Sequence, residues 1–342
     1  MKNRVAKLVD IQRIEIFEEE LPKLTEGQIL VKIKSVGICG SDMHYFKEGG
    51  LGSFKTPLPM YMGHEPSGMV IDSNGSNKFK NGDRVAIEPG MPCVTSYWSL
   101  KGKHNLCDKG TFMGANSQGA FADYVIVEEL QLVKIPDGMS YDLASLMEPV
   151  GVCLHTSNLL NPKFTDTATI FGAGPIGLSM FSILKKSGVQ KIFLVDKLKY
   201  RVDFAKQFGA TDAFLLNDNF IDKIKTQTNG FGTTINIDTG GTNESIDGCM
   251  NVASVNGKVG LIGIPESDWV SYNPHKMRTK ELTIKNVRRS NQTLHDCVEH
   301  YTNDEQMEKI ITHKYDFEDI QKAFEMVSVY GDKVIKCIIN NK

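Results

Sequence analysis

The alternation of apolar and polar residues in the first part of the chain is typical of β-strands. Short alternating or β-branched runs, separated by Gly, Pro and Asn, occur at residues 13–17, 28–36, 84–87 and 122–127. A period of two buries one face of each strand. The pattern predicts a compact, partly closed β domain up to about residue 150, with long loops at residues 51–59 and 90–119 as candidate functional segments.

From about residue 166 the pattern changes to strands that alternate with helices. Strands are predicted at residues 168–171, 191–196, 213–216, 234–238 and 258–262, with helical stretches at residues 175–186, 199–208, 221–228 and 244–252. This alternation predicts a doubly wound parallel sheet.

After about residue 286 the chain carries two more helical stretches, at 293–301 and 317–327, and a last strand at 333–339. This tail is short for an independent domain, so we expect it to return and complete the first one.

The composition agrees with a two-domain protein that acts on a small molecule. A length of 342 residues exceeds the size at which one core usually stops growing. The net charge of −2 gives no excess of positive charge of the kind that binds nucleic acid or an anionic membrane. The N-terminus lacks the apolar region of a signal peptide, and the apolar stretch 170–184 is too short and glycine-broken to cross a bilayer. We therefore expect a cytoplasmic protein with no nucleic-acid or membrane partner.

A glycine motif, GAGPIG, joins the first predicted strand of the second part to the following helix. Gly172 permits a tight turn, Gly174 lets the backbone approach a pyrophosphate, and Gly177 lets the helix pack on the strand. Asp196 ends the next predicted strand, where it would bond both ribose hydroxyls of a dinucleotide and repel a 2′-phosphate. The motif predicts NAD binding in preference to NADP.

Two features leave alternatives to that interpretation open. A glycine-rich turn can serve only to pack a helix closely, with Asp196 as a strand-end cap. Lys197 and Arg201 provide positive charge that would tolerate NADP.

Three candidate metal ligands lie in the first part of the chain. Cys39 offers a thiolate, and His64 and Glu65 offer an imidazole and a carboxylate side by side. Zinc accepts these donors when three protein ligands leave a fourth position for water or substrate. Alone, Cys39 can be a small buried hydrophobe and His64 a hydrogen-bonded core residue. The seven cysteines are scattered and odd in number, which favours free thiols or ligands over a disulfide framework.

Further residues near these ligands suit alcohol chemistry. A metal lowers the pKa of a bound alcohol, which can then pass a hydride to a nicotinamide. Ser41 and His44 would relay the released proton to solvent, and Glu148 is a further candidate carboxylate. The alternatives are that Ser41 caps a helix, His44 lies on the surface, and Glu148 favours a helix dipole.

Five stretches, in order along the chain, resemble the zinc-dependent medium-chain dehydrogenase/reductase family. They are GICGSDMHYF from residue 37, GHEPSG from 63, GDRVAIEPG from 82, EPVGVCLHT from 148 and FGAGPIGL from 171. Within the family the chain is most similar to the polyol branch of sorbitol dehydrogenase and L-idonate 5-dehydrogenase. The resemblance implies a GroES-like catalytic domain at 1–150, a Rossmann NAD-binding domain at 151–286, a return segment at 287–342, and an active site in the interdomain cleft.

The resemblance also implies roles for individual residues. Cys39, His64 and Glu65 would bind one catalytic zinc ion, Glu148 would contact the zinc-bound water and the substrate, and Tyr45 would line the substrate pocket.

On the cofactor side, the resemblance implies that Ile176, Asp196 and Arg201 contact NAD. The turn formed by Ile262, Gly263 and Ile264 would hold the nicotinamide half. Members of the family are homodimers or homotetramers, so we expect the same here, with the Rossmann sheet edges forming the contact.

The chain departs from the family pattern in two places. Where many members carry four cysteines for a structural zinc, this chain has Cys93, Ser96, Ser99 and Cys107, so we expect no structural zinc. Where polyol enzymes carry a sequence such as Phe-Arg-Tyr, residues 288–290 are Arg288, Arg289 and a serine. Arg289 keeps the substrate-facing arginine, and an additional guanidinium at Arg288 would grip a carboxylate or phosphate, or be solvated or near the cofactor.

These observations predict an NAD-dependent zinc enzyme that interconverts the secondary alcohol of a polyol or sugar acid with a ketone. Two alternatives keep the fold and change the substrate, to an amino alcohol as in threonine 3-dehydrogenase or to a sugar phosphate. A third is a dinucleotide-binding redox sensor without turnover, against which the complete set of Cys39, Ser41, His64 and Glu65 speaks.

Overall fold

The computed structural model describes residues 1–216, 219–265 and 267–341. The chain forms two compact units, one of Met1–Gly151 with Ser290–Lys342 and the other of Val152–Arg289. The second boundary lies three residues beyond the expected 286/287. The reason is that the Val287 N–H still donates to the Leu261 carbonyl (2.9 Å), which continues the pairing of the last strand of the second unit.

The elements that precede residue 161 are as follows. The strands are β1 (Lys2–Asp10), β2 (Arg13–Glu20), β3 (Gln28–Gly37), β4 (Gly50–Leu51), β5 (Phe54–Lys55), β6 (Met60–Tyr61), β7 (Glu65–Asp72), β8 (Arg84–Ile87), β9 (Gly90–Met91), β10 (Thr111–Phe112), β11 (Tyr124–Glu128) and β12 (Leu132–Lys134). The helices are α1 (Gly40–Glu48), α2 (Tyr97–Leu100), α3 (Tyr141–Ser145) and α4 (Met147–Leu160).

The later elements include those that the sequence pattern predicts and four that it did not predict, at residues 274–280, 283–286, 305–308 and 311–316. The strands are β13 (Thr167–Phe171), β14 (Lys191–Asp196), β15 (Asp212–Leu215), β16 (Thr233–Asp238), β17 (Ala253–Leu261), β18 (Thr283–Asn286), β19 (Ile311–Asp316) and β20 (Lys336–Asn340). The helices are α5 (Pro175–Lys186), α6 (Lys199–Gln207), α7 (Phe220–Gln227), α8 (Asn243–Val252), α9 (Pro274–Lys280), α10 (Leu294–His300), α11 (Glu305–Glu308) and α12 (Ile320–Ser328).

The first unit is built on a sheet in the order β12-β8-β7-β3-β20-β19, with β11 also pairing with β3. Strand β3 alternates as its sequence predicts, since Ile29, Val31 and Ile33 are buried in the core of this unit. Strand β20 pairs antiparallel with β3, and β19 runs parallel to β20. The C-terminal segment therefore supplies strands to the sheet of the N-terminal segment.

The second unit contains a parallel sheet in the order β15-β14-β13-β16-β17-β18. Numbered within this unit, that order is 3-2-1-4-5-6, the doubly wound arrangement that binds dinucleotides where the strand order reverses. Here the reversal lies between β13 and β16, which pair directly. The predicted class, a β-rich domain with a doubly wound parallel-sheet domain, is confirmed.

No helix in the described ranges combines the length and apolar character needed to cross a membrane.

Candidate active site

The three predicted metal ligands come together in the first unit because of strand pairing. Cys39 follows β3 as the N-cap of α1, and Glu65 opens β7. In the antiparallel register, Gly37 at the end of β3 lies opposite Glu65. One ligand atom from each of Cys39, His64 and Glu65 lies within 4.8 Å of the others, the only such set in the described part of the chain. Strand pairing thus brings together metal-ligand side chains that are 25 (Cys39 and His64) and 26 (Cys39 and Glu65) positions apart in the sequence.

Asp42 is a residue of the site that the sequence did not reveal. Its carboxylate accepts hydrogen bonds from the backbone N–H of Cys39 (3.0 Å) and of Gly63 (3.4 Å), so it joins both ligand-bearing segments. Its Oδ1 atom also lies 3.6 Å from Nδ1 of His64. A carboxylate behind one ring nitrogen orients the imidazole and leaves the other nitrogen for a metal. The Cys-x-x-Asp spacing, which forms a capping box on α1, is the signal that would have found it.

Lys336 is the second residue that the sequence did not reveal. Its ammonium forms an ion pair with Glu65 and donates to the backbone carbonyl of Ile38 (2.9 Å). The two side chains are only 2% and 1% exposed, respectively. A Cβ atom on Gly37 would lie 2.0 Å from Oε2 of Glu65, so only glycine leaves room for this pair. The signal in the sequence is Lys336 itself, the one charged residue of the last strand, KCIIN.

The cluster contains several buried acidic groups and one buried base, and burial and mutual charge shift their pKa values. Burial and the charge of Glu65 raise the pKa of the Cys39 thiol to about 12. Burial raises the pKa of Asp42 as well. Burial, with the charges of Glu65, Cys39 and Glu88, raises the pKa of Glu148 well above its usual range, while His64 opposes the shift. Burial lowers the pKa of Lys336, but the charges of Glu65, Cys39 and Asp42 and the hydrogen bond to Glu65 together outweigh burial, so the net shift is upward.

The donor set fits a zinc ion. A thiolate, an imidazole and a carboxylate are the ligand types that catalytic zinc sites use with three protein ligands. With Cys39, Asp42, Glu65 and Glu148 ionised, the cluster would hold four negative charges against the one positive charge of Lys336. A divalent cation relieves this excess, and that explains why such acids can be buried together.

Helix α1 carries three of the four other residues predicted for this site, and Glu148 lies in the first turn of α4. The hydroxyl of Ser41 lies 3.3 Å from Nε2 of His64, so it reaches the ligand cluster. His44 follows three residues later, which places it on the same face of the helix as Ser41. Tyr45 is buried and belongs to the hydrophobic core of the first unit. Its contact with substrate stays a prediction.

The glycine motif and Asp196 meet in the second unit. Gly172 has φ of +100°, and a Cβ atom on Gly177 would lie 1.8 Å from the carbonyl oxygen of Gly172. The turn is therefore open to glycine alone at both positions. Gly174 is the N-cap of α5, and Ile176 lies in the first turn. Backbone N–H groups at this helix end are available to a pyrophosphate.

Asp196 is held at the end of β14 by its neighbours. Its carboxylate accepts hydrogen bonds from the N–H of Ala173 (2.7 Å) and of Leu198 (2.8 Å). A guanidinium nitrogen of Arg201 lies 3.9 Å from the same group. The acid and the arginine predicted to contact the cofactor thus adjoin the glycine turn. The arrangement fits a dinucleotide ribose beside the motif.

The predicted nicotinamide turn is tied to the end of β16. The N–H groups of Ile262 (2.9 Å) and Gly263 (3.2 Å) both lie within hydrogen-bond distance of the carbonyl of Asp238. A Cβ atom on Gly263 would lie 2.1 Å from the backbone nitrogen of Gly241. Ile264, next along, is exposed. These contacts set the backbone of the turn, and its role towards the cofactor stays a prediction.

The predicted substrate residues Arg288 and Arg289 and the neighbouring Ser290 differ in exposure. Arg288 is exposed, and Arg289 adopts a left-handed backbone with φ of 55°. The buried hydroxyl of Ser290 donates to the carboxylate of Glu88 at 3.1–3.2 Å. Ser290 thus orients the Glu88 carboxylate. The charge of Glu88 contributes to the raised pKa of Glu148, so Glu88 lies close to the acidic cluster. The sequence did not reveal Glu88, although it lies in the motif at residues 82–90.

The stretch that holds a structural zinc in many family members has a different donor set here. Ser96 and Ser99 are buried and bonded to one another through their hydroxyl groups (2.9 Å). Ser96 also lies 3.2 Å from the sulfur of Cys107. Two neutral hydroxyls replace two thiolates, so these residues do not fit a four-cysteine cage.

Comparisons with known proteins agree with both units. Residues 25–137 match the alcohol dehydrogenase GroES-like domain, and residues 175–304 match the zinc-binding dehydrogenase family. Sorbitol dehydrogenase 1 of Saccharomyces cerevisiae is 30% identical, over 98% of each chain. L-threonine 3-dehydrogenase of Francisella philomiragia is 33% identical, over 91% of this chain and 92% of that one.

A solved structure agrees over the whole length. An Escherichia coli oxidoreductase of unknown specificity, described as involved in membrane biogenesis, is 32% identical with a TM-score of 0.93, over 99% of each chain. The predicted family is thereby confirmed. The chain belongs to the zinc-dependent medium-chain dehydrogenase/reductase family.

Proposed function

We propose that this protein is an NAD- and zinc-dependent dehydrogenase that interconverts the secondary alcohol of a polyol with a ketone. The observation that carries the proposal is the cluster of Cys39, His64 and Glu65, whose ligand atoms lie within 4.8 Å in a buried acidic setting. The glycine turn with Asp196 supports NAD as the hydride acceptor.

Different residues of the first unit would bind the metal, carry the proton and contact the substrate. Cys39, His64 and Glu65 would hold zinc, which when bound supplies a Lewis acid that eases deprotonation of the substrate hydroxyl. Ser41, within reach of His64, would take that proton and pass it to His44 one helical turn on. Glu148, whose pKa is raised well above its usual range by burial, would form a hydrogen bond with a substrate hydroxyl.

The second unit would hold the cofactor. Gly172, Gly174 and Gly177 let the backbone approach the pyrophosphate at the start of α5, and Ile176 would contact the cofactor beside them. Asp196 would bond the ribose hydroxyls, with Arg201 alongside. The turn of residues 262–264 would support the nicotinamide.

A neutral polyol fits the charge of the site better than an anion does. The charges of Glu65 and Glu88 both act on Glu148, so a further negative charge brought by a sugar acid or sugar phosphate would be repelled. Arg289, and the exposed Arg288, would have to outweigh that repulsion. The similarity to sorbitol dehydrogenase 1 supports the polyol.

An amino alcohol is the second candidate. The similarity to L-threonine 3-dehydrogenase supports it, and the carboxylates that would repel the carboxylate of threonine would attract its ammonium group. Cytoplasmic location and assembly as a homodimer or homotetramer complete the proposal. The edge strand β18, which pairs on one side with β17, is a candidate for the contact between copies.

A substrate panel tests the proposal. Formation of the reduced nicotinamide would be followed by its absorbance at about 340 nm. The substrates are sorbitol, xylitol, threonine, an aldonate and a sugar phosphate, each tested with NAD and with NADP. We expect turnover with a polyol and NAD. Turnover with threonine alone would select the second candidate, and a folded protein that binds NAD but turns over none of these would instead be a redox sensor. Arg288→Phe should leave polyol turnover unchanged.

A further inference from the structure

A lobe of the first unit, defined here as residues 93–107, carries two thiols and two buried hydroxyls in contact. Ser96 lies 3.2 Å from the sulfur of Cys107 and 2.9 Å from the hydroxyl of Ser99. The sulfur of Cys107 lies 3.9 Å from the backbone carbonyl of Cys93, which also accepts the N–H of Ser96 (2.9 Å). Cys93 and Cys107 are therefore neighbours in space, although they are separated by 14 positions in sequence.

We propose that this lobe is a redox modification site, in which Cys107 reacts with a peroxide and Cys93 resolves the product to a disulfide. The site uses neither the metal cluster nor the glycine motif, so it stands apart from the proposed function. It depends on the same two serines that replace thiolates of a structural zinc cage.

The surroundings of Cys107 favour a nucleophilic sulfur. The hydroxyl of Ser96 stabilises the thiolate more than burial opposes it, and backbone N–H groups and Ser99 add to this, so the pKa of Cys107 falls to about 7. The buried Cys249 and Cys337 lie in apolar surroundings, where burial raises the pKa of each thiol. The lowered pKa of its thiol thus distinguishes Cys107 from the buried Cys249 and Cys337.

Cys93 is placed to act as the resolving thiol. It is partly exposed, and its sulfur lies 3.4 Å from the hydroxyl of Thr95. Since the sulfur of Cys107 already contacts the main chain of Cys93, a rotation about the Cys93 Cα–Cβ bond moves one sulfur relative to the other with little change in the backbone. The lobe consists of turns and short helical segments, which accommodate such a local change.

The chemistry balances with a peroxide as the oxidant. The Cys107 thiolate attacks one peroxide oxygen, so that an S–O bond forms, the O–O bond breaks and the departing hydroxide takes up a proton to become water. The Cys93 sulfur then displaces the hydroxyl of the sulfenic acid. An S–S bond forms, the S–O bond breaks, and a second water leaves. Two thiols and one hydrogen peroxide give one disulfide and two waters.

Peptide mapping of the zinc-loaded protein after treatment with hydrogen peroxide tests this proposal. We expect a linked Cys93–Cys107 peptide that dithiothreitol separates, with Cys249 and Cys337 still reduced as internal controls. In Cys93→Ser, a sulfenic acid at Cys107 should be trapped by dimedone. In Cys107→Ser, Cys93 should stay reduced under the same treatment.

A matched pair of variants tests the role of the hydroxyl. Ser96→Ala should slow alkylation of Cys107 by iodoacetamide at neutral pH by on the order of 3- to 10-fold, whereas Ser96→Thr, which keeps a hydroxyl, should retain most of the rate. Circular dichroism and retained zinc confirm that each variant is folded. The proposal is overturned if Cys107 stays reduced while Cys93 or Cys249 is oxidised, or if Ser96→Ala reacts as fast as the wild type.

Discussion

The ammonium of Lys336 and the carboxylate of Glu65 form a buried ion pair inside the candidate metal cluster. The two residues are 271 positions apart, and the pairing of β20 with β3 brings them together. The Glu65 carboxylate would thus interact with two cations, the ammonium of Lys336 and the proposed zinc ion. The pair therefore links the C-terminal strand to the site.

Lys336→Met should destabilise the zinc-free protein by about 3–5 kcal/mol, because it leaves the buried Glu65 carboxylate without a partner. Zinc should reduce that loss, since the ion supplies positive charge to the same group. Urea unfolding with and without zinc measures the difference. Lys333→Met, at an exposed position close by, is the control and should stay within about 0.5 kcal/mol of the wild type. An equal loss in both zinc states would show that Glu65 does not meet the metal.

Asp42→Asn should weaken zinc binding by roughly 10- to 100-fold, because the negative charge behind Nδ1 of His64 is lost. The amide oxygen still accepts a backbone N–H, so the fold is retained. Competition with a chromophoric chelator measures the affinity, and Asp137→Asn, at an exposed position, is the control. Unchanged affinity would remove Asp42 from the site.

Asp196→Asn should shift the cofactor preference towards NADP. Ala173 and Leu198 donate to different oxygens of the carboxylate, so the amide keeps an acceptor for only one of them, and it loses the charge that repels a 2′-phosphate. We expect the ratio of kcat/KM for NAD to that for NADP to fall on the order of 100-fold. Asp203→Asn, which alters a surface pair with Lys199, should leave the ratio unchanged. A ratio that stays at the wild-type value in Asp196→Asn would show that this carboxylate does not face the ribose.

Asp142 should make the free energy of unfolding of the first unit depend on pH. Burial opposes its ionisation, but Lys314, Ser35 and Asn340 donate to its carboxylate and lower the pKa. A lowered pKa in the folded state contributes stability that is fully present above the unfolded value of about 3.9 and is lost as the pH falls through the folded value.

Asp142→Asn should therefore cost about 1–3 kcal/mol at neutral pH, and the difference from the wild type should shrink at low pH. Denaturant unfolding at a series of pH values measures it. Asp319→Asn, which alters a surface pair with Lys322, is the control. A difference that persists unchanged below pH of about 2 would assign the effect to packing rather than to charge.

Much of the site could be predicted from local sequence. The glycine turn depends on residues within six positions, and Cys39, His64 and Glu65 are all donors that zinc accepts. Strand and helix periodicity predicted five of the six strands of the parallel sheet and helices α5 to α8, but not helices α4 and α9 or strand β18. Strand β1, strand β7 and helix α1 were not predicted, since polar and glycine-rich motif residues break their periodicity.

What local sequence could not show is which distant residues complete the site. Lys336 reaches Glu65 only through the register of β20 on β3, and Ser290 reaches Glu88 across 202 positions. Asp42 was hidden because an acid in the first turn of a helix has an ordinary explanation as a cap. Pairing between distant strands is decided by packing of the whole unit, which no short motif encodes.

The central claim is that one zinc ion, held by Cys39, His64 and Glu65, makes this chain an NAD-dependent dehydrogenase. Its most direct test is to remove metal with a chelator, add zinc back in steps, and record bound zinc and the initial rate of NADH formation with the preferred polyol. We expect the rate to rise in proportion to bound zinc and to level off at one ion per chain, and we expect His64→Ala neither to bind that ion nor to gain activity. Full activity without zinc, or the same activity in His64→Ala, would contradict the claim.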